Sequence, residues 1–204
     1  MAGRFITFEG VEGCGKTTQV ELLGNWFARQ HREAVVTREP GGTVVGDKVR
    51  GVLLDPTLSE MIPRTEALLY AASRAQLVDQ VIKPALHAGK TVLCDRYIDS
   101  SLAYQVFARG LDFQTIISIN EWASGGLMPD LTFLFRISAE LGLGRAVGRR
   151  PDRLEQESLQ FHRMVEAGYE DLAVKYAERF VLIDGRDPVE HIHKQVVEAV
   201  RAIL

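Results

Sequence analysis

Eight residues near the N-terminus constrain this chain more than any other part. Gly10-Val11-Glu12-Gly13-Cys14-Gly15-Lys16-Thr17 satisfies the pattern G-x-x-x-x-G-K-[ST] in full. The pattern works only between a strand and a helix, and both are expected here. Phe5 to Phe8 reads as a short buried strand, and residues 17–29 carry Val20, Leu22, Leu23, Trp26 and Phe27 at helical spacing. The glycines allow backbone angles that turn successive N–H groups inward as an anion-binding nest, and the helix N-terminus adds partial positive charge. Lys16 can bridge β- and γ-phosphates, and the Thr17 hydroxyl can hold Mg²⁺. Residues Gly10, Val11, Glu12, Gly13, Cys14, Gly15, Lys16, Thr17 and Thr18 are therefore expected to bind a nucleoside triphosphate, with Mg²⁺ as cofactor.

The rest of the chain fits an α/β fold around that loop. Further short apolar runs lie at Ala34 to Thr37, Thr91 to Cys94, Leu131 to Ile137 and Phe180 to Ile183. They show little alternation, as do strands of a parallel sheet buried on both faces. Helical spacing fills the segments Thr65 to Ala88, Ser158 to Glu178 and Pro188 to Leu204, with Pro84 expected to bend or end the first of these. Strands alternating with helices predict right-handed βαβ units. No repeat or linker divides the chain, so residues 1–204 are expected to form one domain. Pro40-Gly41-Gly42 and Gly142 to Arg153 are expected to be mobile, the second as a basic lid over about 142–153.

Composition excludes several classes. With 24 Lys+Arg against 27 Asp+Glu, the net charge of -3 argues against a general nucleic-acid or membrane-surface binder. No apolar run approaches the roughly 20 residues of a membrane span, and the N-terminus shows no signal peptide. Cys14 and Cys94 form no disulfide framework and sit in no metal-spaced cluster, which suggests a reduced, cytoplasmic protein. The five histidines read as incidental; His191 and His193, two apart on a helix, make a poor metal pair.

The phosphate loop does not name the acceptor. A GTPase would carry N-K-x-D, which is absent, and a motor would need a longer chain. A small chain with a basic lid suits phosphoryl transfer to a second small anion. Three segments lie where ligand groups collect at the carboxyl ends of strands or on the helix beside them: Thr37-Arg38-Glu39-Pro40-Gly41-Gly42-Thr43, Leu68 to Arg74, and Asp95-Arg96-Tyr97-Ile98-Asp99-Ser100-Ser101-Leu102-Ala103-Tyr104-Gln105. They supply arginines, carboxylates, rings and hydroxyls fit to hold a nucleotide.

On these segments the chain resembles the thymidylate kinases of the nucleoside monophosphate kinase superfamily, over nearly its whole length. TREPGGT and DRYIDSSLAYQ carry the resemblance; the phosphate loop alone does not. The resemblance implies a five-stranded parallel sheet flanked by helices with a lid, a homodimer, and the reaction ATP + dTMP → ADP + dTDP. It implies that Arg96 clamps the dTMP phosphate and Asp95 orients the magnesium shell beside Thr17. Tyr70 would stack on thymine, Arg74 would bond the base edge, and Ser101 and Gln105 would complete base recognition. Tyr104 would exclude a ribose 2′-hydroxyl, while Glu39 and Arg50 lie near the monophosphate. Glu12 would accept from the 3′-hydroxyl. Gly13 stands where some relatives carry a catalytic arginine, which resembles the bacterial type that moves this group into the lid. Arg153 aligns best for it, Arg149 is the second choice, and Arg145 and Arg150 are also available. Arg136 departs from an aspartate common in relatives. Ile183-Asp184-Gly185-Arg186 resembles the adenine-contacting loop. The rival readings are a deoxynucleoside kinase with Glu39 as base, another pyrimidine nucleoside monophosphate kinase, and a regulator that binds ATP without an acceptor.

Overall fold

The structure, a computed structural model, describes residues 3–145 and 150–204. Five parallel strands form one sheet in the order β2-β3-β1-β4-β5. They are β1 (Phe5–Glu9), β2 (Ala34–Arg38), β3 (Thr91–Asp95), β4 (Leu131–Arg136) and β5 (Phe180–Asp184). All five expected strands form, each within a residue or two of the apolar run that predicts it. β1 lies at the centre, with Phe8 beside Asp95 of β3 and beside Phe133 of β4. That register brings the loops after β1 and β3 together at one edge, where an open parallel sheet holds its ligands.

Helices cover both faces. α1 (Lys16–Arg29), α2 (Val44–Leu54), α3 (Pro63–Leu77) and α4 (Lys83–His87) precede or flank β3; α5 (Ile98–Ser101) and α6 (Phe113–Ser124) follow it. α7 (Ala139–Arg145), α8 (Leu159–Lys175) and α9 (Val189–Arg201) complete the chain. The local signals are chemical. Thr43, Asp112 and Ser158 each cap a helix by accepting from the backbone N–H three residues on. Pro84 acts one turn upstream of itself. It has no N–H to donate, and the chain widens into a π-helical turn over Val78–Ile82 before α4 resumes. A second π-helical stretch, Leu102–Ala108, continues α5 and packs against α8.

Two expectations of mobility change. Pro40-Gly41-Gly42 is pinned: the Gly41 N–H donates to Ser73 Oγ at 3.0 Å and the Gly42 N–H to Asp47 Oδ1 at 3.1 Å. Positive φ angles of 124° and 78° at Gly41 and Gly42 explain why glycine stands there. The first part of the expected lid, 142–145, is helix α7, and 150–153 runs into an ordered turn. Residues 146–149 lie outside those described.

Candidate active site

The loop after β1 folds as its pattern requires. Gly10, Gly13 and Gly15 adopt φ of 138°, 69° and 99°, and α1 begins at Lys16. The Lys16 ammonium is almost wholly buried and donates to Gly10 O at 3.1 Å, Val11 O at 2.8 Å and Cys14 Sγ at 3.3 Å. Burial and Arg96 work against its charge, yet Cys14, Asp95 and Glu12 outweigh them and its pKa is raised. Thr17 Oγ1 donates to Asp95 Oδ2 at 2.7 Å, so the two residues expected at a metal already meet.

Arg96 stands at the centre. It holds a left-handed φ of 71°, and its guanidinium donates to Gly10 O at 3.0 Å, Tyr169 OH at 3.1 Å and Glu12 Oε2 at 2.9 Å. A non-glycine residue in that conformation is costly, and the surrounding bonds enforce it. Behind it, fully buried Glu9 accepts from Tyr97 N at 2.7 Å, Ser100 Oγ at 2.6 Å and Tyr169 OH at 3.0 Å. Burial, with Asp99 adding to it, lifts the Glu9 carboxyl to about 7.

One cleft of about 970 Å³ joins these groups to the acceptor segments. Glu12, Gly13, Cys14, Gly15, Lys16, Thr17 and Thr18 line it on one side. Glu39, Arg50, Tyr70, Arg96, Ser101, Tyr104 and Gln105 line the other, with Asp95 between. Gly10 and Val11 support the loop from behind through their carbonyls. Tyr104 is nearly buried and meets the Phe161 and Tyr169 rings edge-on at 6.1 and 6.5 Å, so it serves both core and cleft. Arg50 Nη1 donates to Pro40 O at 3.1 Å; burial and then Arg38 hold its pKa down.

Two expected site residues sit differently. Arg74 does not line the cleft. It is 1% exposed, and all five of its N–H groups are engaged by Glu39, Ser101, Asn120 and Tyr97 O. It stands behind Ser101, and none of its N–H groups is left unengaged. Arg153 also leaves its expected place. Its Nη2 donates to Glu66 Oε2 at 2.7 Å and its Nε to Leu53 O at 2.9 Å, away from the phosphate loop. Burying an arginine demands a fixed anion, and Glu66 on α3 supplies one. Among the described residues, the lid arginine that lines the cleft is Arg145, at the end of α7, donating to Gly185 O at 2.9 Å. Arg149 lies outside the described residues, and Arg150 is exposed.

Gly13 has a steric reason. A Cβ there would lie 2.2 Å from Gly142 O, because α7 packs backbone against backbone on the phosphate loop. A side chain at 13 and this lid base exclude one another. Arg136 forms an exposed ion pair with Glu170 at 2.7 Å and takes no part in the cleft. His162, read from the sequence as incidental, lines the cleft, is 3% exposed, and its Nε2 has no partner among the described residues. Burial lowers its pKa, so the ring is neutral near pH 7.

A phosphate loop at the end of a central parallel strand, sharing one cleft with an arginine clamp, defines a P-loop phosphotransferase. The family description "Thymidylate kinase" matches residues 8–196. Thymidylate kinases of Caldanaerobacter subterraneus subsp. tengcongensis and Geotalea uraniireducens are 50% and 49% identical, covering 100% and 99% of this chain and 98% of each relative. The crystal structure of thymidylate kinase from Ehrlichia chaffeensis superposes with a TM-score of 0.79 at 30% identity, covering 98% of this chain and 99% of that one. The chain belongs to the thymidylate kinase family.

Proposed function

We propose that the chain catalyses the reaction its family name describes, transfer of the γ-phosphoryl group of ATP to dTMP. The observation that carries this reading is the single cleft in which Lys16, Arg96 and the wall of Tyr70, Ser101, Tyr104 and Gln105 face one another. A dTMP phosphate oxygen attacks the γ-phosphorus as the bond to the β,γ-bridging oxygen breaks, giving ADP and dTDP. No strong base is needed, because the acceptor phosphate is already ionised. The protein's task is to align the two oxygens and to stabilise spreading negative charge. Lys16 serves the donor phosphates, Arg96 clamps the acceptor phosphate beside them, and Arg145 takes the lid position opened by Gly13.

Thr17 and Asp95 suit a magnesium ion: one hydroxyl and one carboxylate, with phosphate oxygens and water completing a hard oxygen shell. Among the described residues no group of three or more His, Cys, Asp or Glu could hold a metal without such help. When bound, the ion would supply charge stabilisation between the phosphates. Glu12 sits by the acceptor through its bond to Arg96. Residues 1–204 act as one domain. The homodimer and cytoplasmic location belong to the same reading; exposed Val45 and Val52 on α2 and Leu68 on α3 offer apolar surface for a second copy.

The geometry disfavours the deoxynucleoside kinase reading. Glu39 would be its base, yet both Glu39 oxygens are taken by Arg74 in a buried pair. A coupled ADP-release assay with dTMP, with thymidine and without acceptor tests the proposal. Release with dTMP alone is expected. Release with thymidine, or equal release without acceptor, overturns it.

A further inference from the structure

Behind the wall assigned to the base stand two buried charges, and each fixes the hydrogen-bonding sense of the group in front of it. Glu66, on α3, is 0% exposed and lies outside the cleft. Its carboxylate accepts from Arg109 Nε at 3.2 Å, Arg109 Nη2 at 2.9 Å, Arg153 Nη2 at 2.7 Å and Gln105 Nε2 at 3.0 Å. Burial would favour the neutral acid, but the bonds and charge of Arg109, with Gln105 and Arg153, hold its pKa below the ordinary carboxylate range.

An ionised carboxylate can only accept. The Gln105 amide must therefore turn its NH₂ toward Glu66 and its Oε1 away. That oxygen is buried and has no partner among the described residues, although Gln105 lines the cleft. An unpaired buried acceptor is costly, so it is a place where a ligand donor gains. One helical turn earlier, Ser101 Oγ accepts from Arg74 Nη1 at 3.0 Å. Arginine only donates, so the Ser101 hydroxyl is left with its own proton to give. The wall thus offers one donor and one acceptor side by side.

We infer that Glu66 is a specificity-positioning residue: it forces Gln105 to act as an acceptor, so that the wall takes pyrimidines with a carbonyl beside a ring N–H and rejects those with an amino group beside a bare ring nitrogen. Thymine and uracil present the first pattern at positions 4 and 3; cytosine presents the reverse. Against cytosine, Gln105 Oε1 would face a lone pair and stay unpaired, whereas Ser101 Oγ keeps a second lone pair that can accept from the amino group, so the discrimination rests on Gln105. A Glu66→Gln change alters this without touching the cleft. A neutral amide can donate as well as accept, so Gln105 is free to turn its NH₂ toward cytosine.

The inference rests on the proposed placement of the base against Ser101 and Gln105, and the test separates the two. The ratio of kcat/KM for dTMP to that for dCMP is measured for the unaltered chain, Gln105→Leu, Glu66→Gln, and the charge-balanced Glu66→Gln/Arg153→Met. The double variant removes one of the two guanidiniums paired with Glu66 together with its charge, and keeps the test available if the single variant folds poorly. The ratio is insensitive to a general loss of activity. A fall of about tenfold to a hundredfold in all three variants is expected. If Gln105→Leu lowers the ratio while the folded Glu66 variants keep it within about twofold, the placement of the base stands and the role of Glu66 is overturned. If Gln105→Leu leaves the ratio unchanged, the placement itself is wrong and the role of Glu66 falls with it.

Discussion

The two sides of the cleft are built by different rules. On the acceptor side, Glu39, Ser101 and Gln105 are each fixed by a buried partner behind them. Arg74 ties Glu39, Ser101 and Asn120 together, Glu66 ties Gln105 to Arg109 and Arg153, and Glu9 holds Ser100 and Tyr169 against Arg96. On the donor side, the reactive groups lean on the phosphate loop and each other. Lys16 donates to carbonyls of its own loop, and Thr17 donates to Asp95. Donor-side bonds must be exchanged for phosphate oxygens, while acceptor-side bonds persist. On the proposed reading, the contrast teaches that selection of the acceptor would be set by folding, and charge stabilisation would be completed by the substrates.

The largest expected effect comes from the donor side. Lys16→Met should lower kcat by about 10³- to 10⁵-fold, the scale of a lost transition-state cation, with the melting temperature nearly unchanged. Steady-state kinetics with a melting curve read both. Comparable turnover in the folded variant would break the contrast, because Lys16 would then be structural.

The acceptor side should respond in the opposite way. Arg74→Met leaves Glu39 buried without its partner, at a cost of about 3–5 kcal/mol. In a chain of this size that lowers the melting temperature by roughly 6–20 °C. Glu39→Gln/Arg74→Met should recover part of that loss. If Arg74→Met instead melts normally and only weakens dTMP binding, the guanidinium contacts the base directly and the account of the wall needs revision.

Gly13→Arg probes where the two sides meet. The substitution faces Gly142 O at 2.2 Å and a positive φ, so α7 must shift away from the phosphate loop. We expect ~1–3 kcal/mol of destabilisation and reduced kcat, since Arg145 moves with α7. An unchanged melting curve and rate would show that the packing of α7 on the loop is unimportant.

The smallest effect is a pH dependence. Glu9 has a folded pKa of about 7, raised chiefly by burial, against 4.5 ordinarily. Between those values the folded state binds more protons than the unfolded one, so this group's contribution to stability falls as pH rises from about 5 to 7. Glu9→Gln should flatten that decline in melting temperature. A decline as steep as in the unaltered chain would place its origin elsewhere.

Much of this was legible in the sequence, and what was missed has a common cause. The phosphate loop and the five strands are written in consecutive residues, where local sterics and period decide. Arg74, Arg153 and Glu66 depend on pairings across 35 and 87 residues, which no local pattern exposes. The burial of Arg153 against Glu66 was not legible, because the segment before it is rich in arginine and glycine and that composition does not say which arginine turns inward. One signal was available for Glu66: a carboxylate one turn before Tyr70 and two before Arg74, on a face otherwise filled by Ala67 and Ala71. A charge there must be paired, and such a pair is built around a specific neighbour. His162 gave no comparable signal, since the start of α8 brings it to the cleft only through its packing on the stretch after α5.

The central claim is that one cleft moves a phosphoryl group from ATP to a thymine mononucleotide it selects. Phosphorus NMR on the full chain with ATP, magnesium, dTMP and dCMP in equal amounts tests this directly. The account predicts growth of the dTDP β-phosphorus signal matched by ADP, with dCMP left largely unconverted. Conversion of both nucleotides at similar rates, or ADP accompanied by inorganic phosphate in place of dTDP, would contradict it.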